Sequence, residues 1–166
     1  MRPLFLAAAL LLASPALASD APTATNPAPA GEAVASYGPA LHVSDVANSL
    51  RFYRDGLAMT MLHQMGHETM LGVASDRGRP ALILLSHVGS QPPEPITPGN
   101  GFDRLVMRVK DLPAIVQRLR GLGFKVTDVR DVTMGYRMAL ATDPDGYRLE
   151  LVESGVAAAP APARKD

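Results

Sequence analysis

Apolar residues recur along the chain in two alternating periods. From Val46 the spacing runs four, three and four, so Val46, Leu50, Tyr53 and Leu57 share one side of a helix. Asp45 stands just ahead, where its carboxylate can accept from the free N–H groups of the first turn. Gly56 stands where a left-handed stop is expected. A second run, Ile115, Val116, Leu119 and Leu122, predicts another amphipathic helix. Asp111 caps it, Pro113 sits in the tolerant first turn, and Gly121 and Gly123 end it. After each helix the pattern shortens to strand-like runs. They are "AMTMLHQ", "TMLGVAS" and "PALILLSHV" after the first, and "FKVTDVR", "YRMALAT" and "GYRLELVES" after the second. The turn "DPDG", Asp143 to Gly146, places Pro144 and Gly146 at favoured β-turn positions before the last strand.

The two sets are copies of one unit. Val43-Ser44-Asp45-Val46 matches Val109-Lys110-Asp111-Leu112, and at the same offset Arg54 matches Arg120. With a strand ahead of each capping Asp, each half reads β-α-β-β-β. A two-copy repeat of this kind implies two paired modules. They cover about 37–89 and 101–154, inside one α+β domain over 37–154, and the Pro-rich "GSQPPEPITPGNGF" joins them.

The flanks read differently. "MRPLFLAAALLLASPALASD" has a basic residue, an apolar run and an A-x-A pattern ending at Ala18, which is the pattern of a secretory leader over 1–18. The apolar run is shorter than the ~20 residues a spanning helix needs. Residues 19–36 and 155–166 are Ala/Pro-rich, with no apolar period, and read as a disordered linker and tail. The expectation is a periplasmic or secreted protein, free of the membrane once the leader is removed. The chain has no cysteine, which excludes disulfides, thiolate metal sites and cysteine nucleophiles. It carries 16 basic and 16 acidic residues, so no nucleic-acid partner is expected.

The paired βαβββ modules, the opening "VSDVANSLRFYRDGL" and the closing "DPDGYRLELVE" resemble the vicinal oxygen chelate superfamily. That superfamily includes glyoxalase I, extradiol dioxygenases and bleomycin-resistance proteins. The resemblance implies a half-barrel cavity formed by the two modules, often holding a divalent metal, and a possible homodimer. The four ligand positions of the glyoxalase type would fall here on Gly38, Ile83 (or Leu84, since the register is open), Arg104 and Glu150. Only Glu150 can bind a metal. Glycine and isoleucine offer no donor, and arginine is a fixed cation. No cofactor is therefore expected at that place. The alternative is a displaced divalent ion on His42, His87 and Glu150, because His42 would share a strand face with Gly38, and His87 with Ile83. Against that stands the simpler reading of His42 and His87 as polar lining of a ligand pocket.

The stretch "MTMLHQMGHETM" holds four Met and two His between Met59 and Met70. Strict alternation would put Met59, Met61, His63 and Met65 on one face, a conceivable copper site. Methionine also fills adaptable apolar surfaces, and the chain has 8 in all, so an apolar sheet face is favoured here. Arg108 lies two residues from Arg104 and would share its face, giving a wall able to fork onto a carboxylate. The reading is therefore a small organic ligand, with an anion among the candidates, held by His42, His87, Arg104, Arg108 and Glu150. The alternative is a lyase, isomerase or dioxygenase with Glu150 as its base.

N-terminal sequencing of exported material should return Ser19 as the first residue. Recovery of Met1 would contradict export.

Overall fold

The computed structural model describes residues 35–76, 78–87, 95–132 and 135–155. The expected leader, the tail apart from Gly155, nearly all of the first linker and residues 89–94 of the connector lie outside those residues. Among the described residues no helix is long and apolar enough to cross a membrane.

Module 1 comprises β1 (Ala40–Val43), a helical segment, β2 (Thr60–Met65), β3 (Glu68–Gly72) and β4 (Pro80–Ser86). Its sheet runs β1-β4-β3-β2, with β1 and β4 parallel and the rest antiparallel. Module 2 comprises β5 (Leu105–Arg108), α2 (Leu112–Gly121), β6 (Lys125–Val126), β7 (Arg130–Val132), β8 (Tyr136–Thr142) and β9 (Arg148–Ser154). Its sheet repeats the plan as β5-β9-β8-β6, with β7 also on β8. Among the described residues neither sheet closes on itself, and no strand of one pairs with a strand of the other.

The first helix departs from its expected form. Asp45 caps it as foreseen, accepting from the N–H groups of Ala47 and Asn48 at 2.8 and 3.2 Å. The α-helix (α1) covers only Val46–Leu50, and Arg51–Gly56 widens into a π-helix. The wider turn buries the adjacent Phe52 and Tyr53 together, both at 0% exposure. Gly56 is not the left-handed stop. Its use is close approach, since a Cβ there would lie 2.5 Å from Leu119 Cδ2 across the module boundary. The positive φ falls on Ala58 instead. In module 2, Asp111 caps α2 through the Ala114 N–H, and Gly123 supplies the expected left-handed turn beyond it. The run "FKVTDVR" divides into β6 and β7 because Thr127 replaces a ladder contact with its side chain: its Oγ1 accepts from the Leu140 N–H at 2.9 Å.

One core serves both modules. Leu41, Val43, Leu71, Leu82 and Leu84 from the first sheet and Ala139, Ala141, Leu149 and Leu151 from the second meet the helical residues Phe52, Tyr53, Ile115, Val116 and Leu119. Full burial of one such side chain stabilises by about 1.5–3 kcal/mol. The seam runs between the helical segments. Phe52 meets Phe124 edge-on at 5.1 Å, and Arg118 Nε donates to the Gly56 carbonyl at 2.8 Å. The "DPDG" turn crosses the seam too. Its buried Asp143 accepts from the Tyr53 hydroxyl at 2.8 Å and from the N–H groups of Asp145 and Tyr147. Asp145 accepts from the Ser44 N–H and hydroxyl, ahead of α1. Burial first, and then the Asp143 charge, push the Tyr53 phenol well above its ordinary range, so it remains the donor.

Tyr53→Phe should therefore destabilise the fold by about 1.5–3 kcal/mol, as expected when a charged acceptor loses its donor. Urea unfolding at neutral pH measures this. A loss under about 0.5 kcal/mol would show that the bond does not hold the seam.

Candidate functional site

Pairing registers fix which residues share each sheet's outer face. In sheet 1, Ala40 pairs with Ile83 and His42 with Leu85, while Leu41 pairs with the buried Leu84. The open choice between Ile83 and Leu84 thus resolves to Ile83, which lies on the face away from the core. In sheet 2, Val106 pairs with Glu150 and Arg108 with Val152. Glu150 therefore occupies in module 2 the place that Ile83 occupies in module 1. Arg104, just before β5, and Arg108 flank Val106 on that same face.

Gly38 is more than a missing ligand. Its φ is +80°, and a Cβ built there would fall 1.9 Å from the Ala81 carbonyl oxygen. The backbone excludes any side chain at this point, so a metal-binding residue could not be accommodated without moving β4. At Arg104 the departure is of another kind. Its Nε donates to Glu150 Oε2 at 2.5 Å, and its Nη1 pairs with Asp103, whose other oxygen lies 3.4 Å from Arg148. The result is an alternating chain, Glu150–Arg104–Asp103–Arg148. The Glu150 hydrogen bond first, and Asp103 after it, hold the guanidinium even more firmly protonated. Glu150, the one carboxylate among the expected ligand positions, is engaged by a fixed cation. Arg108 is exposed and has no ion pair among the described residues.

The histidines do not join this group. His42 lies exposed on the outer face of sheet 1, and His87 lies exposed just beyond β4. Among the described residues no three His, Asp or Glu could hold a metal ion together. The expected set of His42, His87 and Glu150 is therefore not assembled within one chain. The cause is the seam: the modules pack through their helix-bearing faces, so the outer faces belong to different sides of the molecule. An open hollow of about 370 Å³ does exist, under the connector, lined by Thr97, Gly99, Phe102, Asp103 and Arg148 among others. Its lining meets the Arg104–Glu150 group at Asp103, which pairs with Arg104 directly and carries Arg148 on its other oxygen.

The expected copper face is also corrected. Pairing shifts between Met61 and His63, so Met61 faces Leu71 while His63 faces Met70. Leu71 and Met70 point to opposite sides. The bulge at Leu62 thereby separates Met61 from His63 and Met65, and Met59 is buried in the core at 3% exposure.

Sequence reading missed three groups. Asp143 and Asp145 looked like turn residues, though a Tyr on a buried helix face signals a hydroxyl in need of a partner. Glu153 accepts from the Asp111 and Leu112 N–H groups at the start of α2 and from Arg137 at 2.6 Å. Burial alone would raise its carboxyl, but the Arg137 bond and the two N–H groups outweigh it and hold it below the usual range. That contribution to stability is present above the ordinary glutamate pKa of about 4.3 and is lost as pH falls through the lowered value.

Arg104→Gln and Glu150→Gln, made singly and together, should show coupling in a double-mutant cycle of urea unfolding. The double variant should be less destabilised than the two singles summed. The coupling should shrink near 1 M salt, where the Debye length is about 3 Å. Simple additivity would show that the pair is incidental.

Comparison with known proteins accords with this geometry. The model of the Glyoxalase/Bleomycin resistance protein/Dioxygenase superfamily matches residues 35–151. A probable lactoylglutathione lyase of Synechocystis is 30% identical over 121 residues, covering 69% of this chain and 91% of its own. The solved protein SMU.1112c is 32% identical, with a TM-score of 0.55 over 72% of this chain and 98% of that one. The trypanothione-dependent glyoxalase I of Leishmania major has the same fold at 23% identity, with a TM-score of 0.57 over 70% of this chain and 84% of that one. The repeated βαβββ plan, its strand register and the length of the match agree: the chain belongs to the glyoxalase/bleomycin resistance/dioxygenase superfamily.

Proposed function

We propose that this protein is an exported member of the superfamily that binds a small anionic organic ligand and uses no resident divalent metal. The observation that carries this reading is Arg108, exposed and unpaired among the described residues, beside an Arg104 that Glu150 and Asp103 already neutralise. A free guanidinium on a partly apolar face forks onto a carboxylate or phosphate. Arg104 and Glu150 form the floor next to it, and Val106 (64% exposed) and Tyr136 (40% exposed) offer apolar contact.

The pocket is completed by a second copy. The outer face of sheet 2 leaves large apolar side chains uncovered on an otherwise folded chain, Val132 at 41% exposure beside Tyr136 and Val106. Faces of this kind are normally covered. A homodimer that sets sheet 1 of one copy against sheet 2 of the other brings His42 and His87 towards Arg104, Arg108 and Glu150 of its partner.

A second reading, a lyase or isomerase, rests on the name of the 30% identical relative. Glu150 would then be the base, but its oxygen is held by Arg104, and a general base must reach the proton it takes.

Calorimetric titration of the dimer with small mono- and dicarboxylates, alongside neutral analogues, tests the proposal. At least one anion should bind, and Arg108→Ala should weaken it roughly 10-fold or more, as expected for loss of a charged hydrogen bond worth about 1.5–3 kcal/mol. Lactoylglutathione lyase activity that requires an added divalent ion would overturn it in favour of the enzyme.

A further inference from the structure

The β2–β3 hairpin of module 1 carries a group of soft donors that neither the fold nor the ligand site uses. A two-residue turn at Gly66-His67, with Gly66 at φ +58°, fixes its register. His63 then lies directly opposite Met70, and Met65 opposite Glu68, with all four on the outer face of the sheet. Opposed residues have Cα atoms about 4.5–5.5 Å apart. His63 and Met65 lie roughly 6.8 Å apart along their strand. Met65 and Met70 are diagonal neighbours at about 7–8 Å. One imidazole and two thioethers thus stand at the corners of a small triangle. Each Met has three rotatable bonds with which to swing its sulfur inward.

Packing does not account for these side chains. It accounts for Met59, which is 3% exposed, but Met65 is 66% exposed and His63 is exposed beside it. β2 is also the edge of its sheet. Edge strands are ordinarily protected by charged residues or proline rather than by a long apolar side chain. The Leu62 bulge turns Met61 to the opposite face, so the three donors form a defined set and not a general methionine surface.

We infer that His63, Met65 and Met70 form a binding site for a soft monovalent ion, Cu(I) or its analogue Ag(I). Thioethers select such ions over Zn(II), and the set contains too few nitrogen or oxygen donors for a hard divalent cation. Glu68, across from Met65, offers a carboxylate on that face; it is not needed by a three-coordinate soft ion. The site uses none of the family's ligand positions and stands apart from Arg104, Arg108 and Glu150.

The test is an anaerobic Cu(I) titration of the mature full chain, without a His tag, against a chromophoric Cu(I) chelator. Ag(I) and Zn(II) are titrated in parallel. One equivalent of Cu(I) or Ag(I) per chain should bind, in preference to Zn(II). His63→Ala, Met65→Leu and Met70→Leu should each weaken Cu(I) at least 10-fold, while Met61→Leu leaves it unchanged. Circular dichroism checks that each variant is folded; Met65 and His63 are exposed, and Leu-for-Met is tolerated at half-buried Met70. Absence of Cu(I) binding would overturn the inference. So would a Met61→Leu effect as large as that of Met65→Leu, since that would mean diffuse binding to methionines.

Discussion

A single buried hydrogen bond, from the Tyr53 hydroxyl to the Asp143 carboxylate, ties the two modules where the rest of the architecture is decided. Asp143 is 4% exposed, and a carboxylate there needs partners. It has three: the phenol of one module and two backbone N–H groups of its own turn. Burial raises its pKa, and the three donors act against that rise. Around this bond the helical segments pack, Gly56 against Leu119 and Phe52 against Phe124. Because the modules join through their helices, both sheets turn their other faces outward. Every feature of the candidate site follows from that: His42 on one open face, Arg104, Arg108 and Glu150 on the other.

The same geometry explains how a fold that carries metal chemistry elsewhere in its family is set up differently here. Two changes act together. At Gly38 the backbone itself fills the space of a ligand, with the Ala81 carbonyl where a Cβ would be. At Arg104 a permanent cation donates to Glu150, the one carboxylate among the expected ligand positions. Either change alone would leave part of a site. Together they leave one engaged carboxylate and, among the described residues, a neighbouring guanidinium without an ion pair, which is the basis for proposing an anionic ligand.

Much of the fold was legible because local rules and global structure agree. Both capping aspartates, the helix faces, the Gly123 turn and the βαβββ plan follow from spacing and residue type. What escaped was set by contacts distant in sequence or by small irregularities. No local signal reveals that Asp145 reaches Ser44, or that Glu153 caps α2 while bound to Arg137. The π-helical turn sets Phe52 against Phe124 and Tyr53 on Asp143, both in the other module. The bulge at Leu62 inserts one residue into an alternating strand, and one residue reverses a face. That is why Met59, Met61, His63 and Met65 read as one surface in the sequence and occupy two in the molecule.

The proposal that this protein uses no resident divalent metal has a direct test in elemental analysis of tag-free protein purified without chelators, read per chain for zinc, nickel, iron, manganese and cobalt. The Arg104–Glu150 pair requires that none of these approach one equivalent, even after incubation with excess divalent metal and desalting. One tightly held divalent ion per chain, lost in Glu150→Gln, would contradict it.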